Sequence, residues 1–356
     1  MKAISQAIAQ QISDFSAETD LSLPAYALEK DYHVLDAIKI VSAMPASAYF
    51  RLVFCGGTCL AKAYGILDRM SEDVDFKVVP NDAGAALGTA ALRRELSAYV
   101  KSIVAALEAG GFGDGSVVRR SRDDNKYSAL DITYDSVFAK PDSLRPHLLF
   151  ELNHTTLAAE STSLPIGALF DRLAFGAYKD ALDIECVSLR EALAEKLVSF
   201  SRRLALQLTK MKEGEGLADQ AGWDHALVRH LYDVERIMAA HPEFIRHPEE
   251  TRRLVARAIS KDAGEFSAQH PAFVSAPRAE LAHAMAFAKV SNELAGQYER
   301  FIEDMVYAPA DKVAGYTRAA HTFESMLELI LAAIPDGDFA PPVKPVRVPS
   351  TQAVRR

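Results

Sequence analysis

Apolar residues recur at helical spacing along the first part of the chain. Ile4, Ile8 and Ile12 stand one helical turn apart, and a second run with the same spacing follows Pro24. Because proline interrupts a helix, the two runs predict two separate helices. We expect residues 1–46 to form an N-terminal helical segment.

The next stretch changes to short apolar and alternating runs, which are typical of strands. The predicted strands are residues 49–54, 74–79, 116–120, 127–134 and 148–153. Residues 59–64 are predicted to form a short helix, and residues 92–109 a longer one that Gly110 and Gly111 end. We expect residues 47–185 to form one domain that mixes helices and strands.

Helical patterns return from residue 186 to residue 333 and predict a large C-terminal helical domain. Prolines interrupt these helices at Pro242, Pro248, Pro271 and Pro309. Residues 334–356 have four prolines after Ala340 and no hydrophobic periodicity. That composition predicts a Pro-rich extended tail.

The composition is that of an ordinary globular protein, with 49% hydrophobic and 25% charged residues in a chain of 356. No apolar run reaches membrane-spanning length and no secretion signal is evident, so we expect a cytoplasmic protein that enters no membrane. The cysteines are Cys55, Cys59 and Cys186. Their odd number and spacing do not fit a zinc ribbon and indicate reduced thiols.

Two aspartates on one predicted strand are the first candidates for chemistry. Side chains two positions apart on a strand share a face, so Asp73 and Asp75 point together and Val74 and Phe76 point away. Mg²⁺ prefers oxygen ligands and commonly binds through a few carboxylates, with waters and substrate phosphates completing its shell. The pair therefore predicts a divalent cation site.

A glycine turn precedes this strand. Gly56 and Gly57 lack a Cβ, so their backbone N–H groups can approach an anion closely. Thr58 adds a hydroxyl at the predicted start of a helix, whose N-terminus favours negative charge. A Gly-Gly turn alone is more often only a turn, but next to the aspartate pair it favours phosphate binding.

This order of elements resembles the nucleotidyltransferase fold of DNA polymerase β type. More narrowly, it resembles the AbiEii/AbiGii toxin family, which includes the MenT toxins of type IV toxin–antitoxin systems. The matching segments are residues 28–34 (LEKDYHV), 56–58 (GGT), 69–75 (RMSEDVD), Glu151 in LLFELNH, 191–197 (EALAEKL) and 229–234 (RHLYDV). The turn departs from the pattern by having G-G-T where many nucleotidyltransferases have G-S. The resemblance implies an α+β fold in which a mixed sheet carries N-terminal helices and a large C-terminal helical domain.

The resemblance also implies roles for individual residues. The catalytic residues that it implies are Asp73, Asp75, Glu151, Lys196 and Asp233. The NTP-binding residues that it implies are Gly56, Gly57, Thr58, Arg69, Ser71 and Lys196. Arg203 joins them because it lies two turns from Lys196 on the same predicted helix face. The metal ligands are then Asp73, Asp75 and Glu151, binding two Mg²⁺ ions, with Mn²⁺ as an alternative.

For Glu151, the residues themselves leave alternatives open. It lies in a mostly apolar run, so its charge needs a partner. That partner is either a metal ion, with Glu151 also accepting a proton from an attacking hydroxyl, or an arginine in a structural ion pair. Asp131 and Asp135 compete with it for the role of third carboxylate.

Two further positions also have structural alternatives. Lys196 is either a triphosphate contact or an exposed lysine paired with Glu191 and Glu195 on its own helix. Asp233 either orients a lysine or the base, or caps or bridges its helix locally. The family resemblance favours the functional interpretation for Lys196.

These features predict an NTP-dependent nucleotidyltransferase toxin that transfers NMP to an acceptor hydroxyl. The resemblance implies the 3′ end of tRNA as the acceptor, blocked aminoacylation as the effect, and a cognate antitoxin as a partner. The net charge of −8 argues against a uniformly basic surface, so RNA binding would depend on local clusters. These clusters are Arg119, Arg120 and Arg122, then Arg202 and Arg203, then Arg252 and Arg253.

Two other functions stay open. The same metal site could modify a protein or a small molecule such as an aminoglycoside, which a closed acidic pocket would favour over a wide basic groove. An inactive nucleotide-binding regulator would lack an expected ligand, and none is missing. The chain has no H-E-x-x-H and no G-x-x-x-x-G-K-[ST], which argues against a metalloprotease and a P-loop enzyme.

Overall fold

The computed structural model describes residues 1–19, 21, 23–141, 144–211, 216, 223–332 and 334. The predicted tail, apart from Ile334, lies outside these ranges. Among the described residues, no helix is both long and apolar enough to cross a membrane.

A seven-stranded mixed sheet forms the centre of the protein, in the order β3-β4-β5-β2-β1-β7-β6. Its strands are β1 (Phe50–Cys55), β2 (Asp73–Pro80), β3 (Val117–Arg122), β4 (Tyr127–Ile132), β5 (Leu148–His154), β6 (Thr162–Ile166) and β7 (Leu182–Cys186). The β2–β5 and β1–β7 pairs are parallel, and the other neighbouring pairs are antiparallel. The predicted α+β fold with a mixed sheet is confirmed.

The helices before the C-terminal half flank this sheet. They are α1 (Gln6–Glu18), α2 (Ala25–Ser42), α3 (Gly56–Lys62), α4 (Asp82–Ala85), α5 (Thr89–Leu107) and α6 (Leu169–Phe175). The predicted helix 59–64 thus begins earlier, directly after β1. A five-residue π-helical turn, Glu108–Phe112, continues α5, and Gly111 inside it has φ 110°. That backbone conformation suits glycine and ends the helix near the predicted point.

The C-terminal half is helical, as the sequence indicated. Its helices are α7 (Leu189–Leu208), α8 (Arg229–Ala240), α9 (Glu243–Arg246), α10 (Glu249–Glu265), α11 (Pro271–Ser275), α12 (Pro277–Val290), α13 (Asn292–Met305) and α14 (Tyr316–Leu331). The side chain of Ser188 accepts a hydrogen bond from the backbone N–H of Glu191 and caps α7. Pro242 and Pro248 precede α9 and α10, and Pro271 is the first residue of α11. These positions require no N–H for an intrahelical bond, which is why proline is tolerated there.

The two faces of the sheet have different partners. Phe50 of β1 and Phe76 of β2 lie on one face, where the ring of Phe50 packs on Tyr99 of α5 at 5.6 Å between centroids. Lys77 of β2 lies on the other face, where its Nζ donates to Glu191 of α7 at 2.6 Å. Asp73 and Asp75 share the face of Lys77 because β2 alternates. The two aspartates therefore stand between the sheet and the C-terminal helices.

The sequence analysis missed the small edge β6–β7 and the helix α6 between them. β6 contains Pro165, which has no N–H to donate and is compatible only with an edge position in a sheet. β7 has charged residues at Asp183 and Glu185, so its pattern is weakly apolar. Both strands depend on tertiary pairing, Ser163 with Glu185 among others, rather than on local propensity.

Candidate active site

Asp75 and Glu151 face each other across two neighbouring parallel strands. Asp75 of β2 is the direct partner of Glu151 of β5, and Asp73 is the partner of Leu149. Directly opposed residues in a sheet point to the same side, so Asp73, Asp75 and Glu151 share one face. The strand that carries Glu151 therefore lies beside the strand that carries the two aspartates.

The surroundings of the two aspartates raise their pKa values. Burial raises the pKa of Asp75 well above its ordinary value, and the neighbouring charges of Glu151 and Asp73 raise it further. Burial likewise raises the pKa of Asp73, while Arg145 opposes the shift. A bound cation would supply counter-charge to aspartates whose pKa values are raised in this way.

Two of the three carboxylates have protein partners of their own. Arg145 forms an ion pair with Asp73, and the hydroxyl of Tyr127 donates to Glu151. The hydrogen-bond partner of Glu151 is thus a tyrosine, and not the arginine of the structural alternative. Within the described ranges, no group of three or more His, Cys, Asp or Glu side chains is arranged to hold a metal ion. Asp75 and Glu151 oppose each other directly, and Asp73 lies on the same face but is paired with Arg145.

The rival acids are engaged by other partners. Asp131 pairs with Arg120, and Asp135 forms an ion pair with the N-terminal amine of Met1 at 3.3 Å. Glu151 is the acid that the fold places opposite Asp75.

The glycine turn packs directly on the acidic pair. Gly56 has φ +74°, and a Cβ added there would lie 1.9 Å from Oδ2 of Asp75. A Cβ on Gly57 would lie 2.5 Å from a guanidinium nitrogen of Arg69 and 3.0 Å from the hydroxyl of Ser71. Both positions exclude larger residues by close approach, and Gly56 also by its backbone conformation.

Thr58 has a different environment from the one expected. Its side chain is buried, and its hydroxyl donates to the backbone carbonyl of Asp73. In this arrangement Thr58 holds α3 against the start of β2. Its hydroxyl is directed at the protein and not at the open cleft.

A buried cluster of charges joins the segment before β2 to α7 and α8. The guanidinium of Arg69 donates to both carboxylate oxygens of Asp233, each at 2.7 Å. Nζ of Lys196 donates to the same carboxylate at 2.5 Å, although the two residues are 37 positions apart in the sequence. Burial alone would raise the pKa of Asp233, but Arg69 and Lys196 hold it well below its usual range. The hydrogen-bond partners of Asp233 are thus residues far from it in the sequence, and Lys196 is one of them.

Lys77 takes the partners that the structural alternative gave to Lys196. Its Nζ donates to Glu191 and Glu195 of α7, both at 2.6 Å. The side chain of Lys196 is only 11% exposed and pairs with Asp233 instead. The interpretation of Lys196 as an exposed helix lysine is therefore wrong, and Lys77 instead links β2 to α7.

A cleft of about 360 Å³ opens between the sheet and helices α7, α8 and α10. Asp75, Glu151 and Lys196 line it. Its other charged and polar lining residues include Lys77, Tyr127, Asn153, Glu195, Ser199, Arg202, His230, Lys261, Asp262 and Glu265. Because both signs of charge line the cleft, it is neither the wide basic groove nor the closed acidic pocket that would have separated the acceptor classes.

Arg203 contacts α8 and the residues before it. Its guanidinium forms an ion pair with Asp224 and lies 3.4 Å from Nε2 of His230. Burial and the charges of Lys196 and Arg203 keep the pKa of His230 well below its ordinary value. Nδ1 of this histidine is buried without a hydrogen-bond partner in the described part of the chain.

Four residues near the carboxylates were missed by the sequence analysis. Arg145 contacts Asp73, and Tyr127 contacts Glu151. The charge of Arg229 opposes the rise in the pKa of Asp73. His230 lines the cleft beside Lys196. The only sequence signal lay in the RHLYDV segment, which contains Arg229 and His230.

Comparison with known proteins gives the family. The family model described as "Nucleotidyl transferase AbiEii toxin, Type IV TA system" matches residues 42–329, which is most of the chain. The chain belongs to the AbiEii toxin family. It is thus a nucleotidyltransferase toxin of a type IV toxin–antitoxin system, and the family implies a nucleotide substrate and a cognate antitoxin.

Two further comparisons accompany the family match. Among solved structures, the AbiEii-family chain is similar to MenT4, a nucleotidyltransferase toxin from Mycobacterium tuberculosis H37Rv. The two share 18% sequence identity with a TM-score of 0.48, over 92% of this chain and 99% of MenT4. No protein with a curated function gives a significant sequence match.

Proposed function

We propose that this AbiEii-family toxin transfers a nucleoside monophosphate from an NTP to the 3′ hydroxyl of a tRNA. The observation that carries the proposal is the opposition of Asp75 and Glu151 in a cleft that Lys196 also lines. Acids and a cation in one cleft suit a reaction that handles both a proton and a polyphosphate.

Nucleotidyltransferases generally use divalent metal ions. The donor set fits such an ion, because Asp75 and Glu151 offer carboxylate oxygens and the pKa of Asp75 is raised by burial and by Glu151. Asp73, Asp75 and Glu151 would hold Mg²⁺, with two ions expected and Mn²⁺ as the alternative. When bound, the cation would supply counter-charge to the phosphates and acidify the attacking hydroxyl.

The side chains of the cleft divide the remaining work. Glu151 accepts the proton of the acceptor hydroxyl, whose oxygen forms a bond to the α-phosphorus as the bond to pyrophosphate breaks. Lys196 contacts the β and γ phosphates, and Asp233 holds the lysine in place. Because Asp233 is also bound by Arg69, we propose that Arg69 acts through this carboxylate.

The glycine turn and Arg203 complete the nucleotide site in this proposal. Gly56 and Gly57 present their backbone to the phosphates at a point where a Cβ would collide with Asp75 or Arg69. Ser71 lies beside Gly57 and offers a hydroxyl. Thr58 contributes by fixing α3 to Asp73, and Arg203 supplies positive charge beside His230.

For the acceptor class, the proposal draws support from the family resemblance rather than from the cleft. A tRNA acceptor places the activity in the cytoplasm, where tRNA and NTPs occur together, and makes blocked aminoacylation the toxic effect. Neutralisation by the cognate antitoxin would relieve it. A protein or small-molecule acceptor is the competing outcome.

The test uses purified protein, Mg²⁺, total RNA and each NTP labelled in its α-phosphate. The proposal predicts labelled tRNA with one or more NTPs, and no label on RNA whose 3′ diol was oxidised with periodate. Label that persists on oxidised RNA, or that appears only on protein, would reject the tRNA 3′ end as acceptor. The variant Asp75→Asn is the control for label that does not depend on this cleft.

A further inference from the structure

The face of the sheet that carries the acids continues without interruption to the edge of the sheet. Glu151 of β5 pairs with Ala129 of β4, which pairs with Arg120 of β3. The next row runs from Asn153 through Tyr127 to Arg122. Neighbouring strands lie about 5 Å apart, so Arg120 stands about 10 Å from Glu151 along this face.

The outer part of this face is open. Val118 is 55% exposed, and the side chains of Arg120 and Arg122 are 62% and 67% exposed. The opposite face of the same strands is buried, since Val117 and Leu130 belong to the core that α5 covers. We call the exposed row of Val118, Arg120 and Arg122 together with Tyr127 the β3 platform.

Tyr127 connects the platform to the acids. The guanidinium carbon of Arg122 lies 3.9 Å from the centroid of the Tyr127 ring. The hydroxyl at the other end of that ring donates to Glu151. One tyrosine therefore contacts both an exposed cation and the carboxylate proposed to accept a proton.

The hairpin between Arg122 and Tyr127 is held in an uncommon conformation. Asp123, Asp124 and Asn125 all have positive φ, between 53° and 66°. Non-glycine residues with positive φ store strain and persist where surrounding contacts determine them. Here the amide of Asn125 accepts from Arg119 and donates to the backbone carbonyl of Arg93.

Charge on the platform is unevenly compensated. Arg120 is paired with Asp131, and Arg119 is occupied by Ser97, Ser121 and Asn125. The carboxylate of Asp123 lies 3.6 Å from Arg122, and both side chains are about two-thirds exposed or more, so solvent screens the pair. Of the two arginines of the platform, Arg122 therefore has the less neutralised charge and is the more available to an anionic ligand.

We propose that the β3 platform binds the acceptor RNA strand, with Arg122 contacting a phosphate just before the 3′ end. An arginine stacked on an aromatic ring presents its N–H groups in a fixed plane, which suits a phosphate oxygen pair. The RNA then runs along the open face of the sheet toward Glu151, whose carboxylate receives the proton of the terminal 3′ hydroxyl. This inference rests on the proposed function and adds the surface that recognises the RNA.

The test measures steady-state transfer of labelled NMP to deacylated total tRNA by the full chain. Arg122→Gln is compared with Arg94→Gln, because the side chain of Arg94 is 72% exposed on α5, the helix on the opposite side of the sheet. The platform predicts that Arg122→Gln raises the KM for tRNA about threefold or more and lowers the salt slope of log KM by about 0.7. The KM for NTP should not change, and Arg122→Lys should keep the salt slope.

Two results would overturn the inference, and they differ in what else they reject. If Arg122→Gln and Arg94→Gln have the same KM for tRNA and the same salt slope as the wild type, the platform is wrong and the proposed function stands. If the wild type labels no RNA with any NTP, the platform and the tRNA acceptor both fail. Unchanged thermal melting of Arg122→Gln establishes that a change in KM is not caused by unfolding.

Discussion

Asp75 and Glu151 are direct partners across the parallel strands β2 and β5, and their side chains line the same cleft. Burial and the charge of Glu151 raise the pKa of Asp75 well above its ordinary value. Two half-buried acids held face to face destabilise the fold unless a cation or a proton joins them. The pair therefore links stability, pH and metal binding, and each link can be measured.

The first prediction concerns Asp75→Asn in metal-free buffer. The folded protein binds a proton at Asp75 more tightly than the unfolded chain, so wild-type stability falls as pH rises through the window above the ordinary aspartate pKa. The asparagine carries no charge, so the variant should melt a few degrees above the wild type near neutral pH. Below about pH 4, where both states are protonated, the difference should shrink. Equal melting temperatures near neutral pH would show that Asp75 is not destabilised by its surroundings.

The second prediction concerns the glycine turn. Gly56→Ala should lose at least about 1–3 kcal/mol of unfolding free energy, because φ is +74° and the new Cβ would collide with Asp75. Transfer activity should fall with it, since Asp75 must move. Gly88→Ala is the matched control, because a Cβ there meets no atom within 4 Å. Denaturant titration measures the unfolding free energy of both variants. Equal values for Gly56→Ala and Gly88→Ala would contradict the claim that the contact with Asp75 requires glycine at position 56.

The sequence contained enough to predict the local elements of the site, but not how they pair with one another. The glycine turn, the aspartate strand and the strand of Glu151 were each recognisable locally, because alternation and turn residues are local signals. That Asp75 is the direct partner of Glu151 could not be predicted from local patterns, because strand register depends on contacts between residues distant in sequence.

Partners from distant segments were the part that sequence patterns could not predict. Glu191 and Glu195 lie close to Lys196 on one helix, so spacing assigned them to that lysine. The fold instead brings Lys77 to them from β2, more than a hundred residues away. Tyr127, which contacts Glu151, has no motif of its own and is found only when β4 is placed beside β5.

The third prediction concerns Lys196→Ala. Asp233 keeps both hydrogen bonds to Arg69, so the fold should survive the loss of the lysine. NTP affinity or turnover should fall at least about tenfold, or about 1.4 kcal/mol for one charge-assisted phosphate contact. Isothermal titration of NTP into both proteins measures it. Lys289→Ala is the control, because that lysine is exposed and paired with Glu324, and an effect no larger than in this control would remove Lys196 from the nucleotide site.

The fourth prediction concerns Tyr127→Phe, which removes only the hydroxyl that donates to Glu151. Burial and the bond to Glu151 raise the pKa of Tyr127, so the hydroxyl stays protonated at neutral pH. We expect kcat to fall about tenfold, since hydrogen bonds to charged groups contribute about 1.5–3 kcal/mol, while the KM for NTP changes little. Tyr316→Phe, which loses a bond to the carbonyl of Ala288, should retain full kcat. Loss of NTP binding in Tyr127→Phe with unchanged kcat would contradict the proposed role.

The most direct measurement follows both products of one reaction in the wild type and in Asp75→Asn. NTP labelled in the α-phosphate, tRNA and Mg²⁺ are supplied, and labelled tRNA and released pyrophosphate are counted. Metal-dependent transfer by these carboxylates predicts that the wild type forms the two products in equal amounts and that a chelator stops both. It also predicts that Asp75→Asn forms neither product although it binds NTP. Full transfer by Asp75→Asn, or transfer that continues in excess chelator, would contradict the central claim that the carboxylates of this cleft perform metal-dependent nucleotidyl transfer.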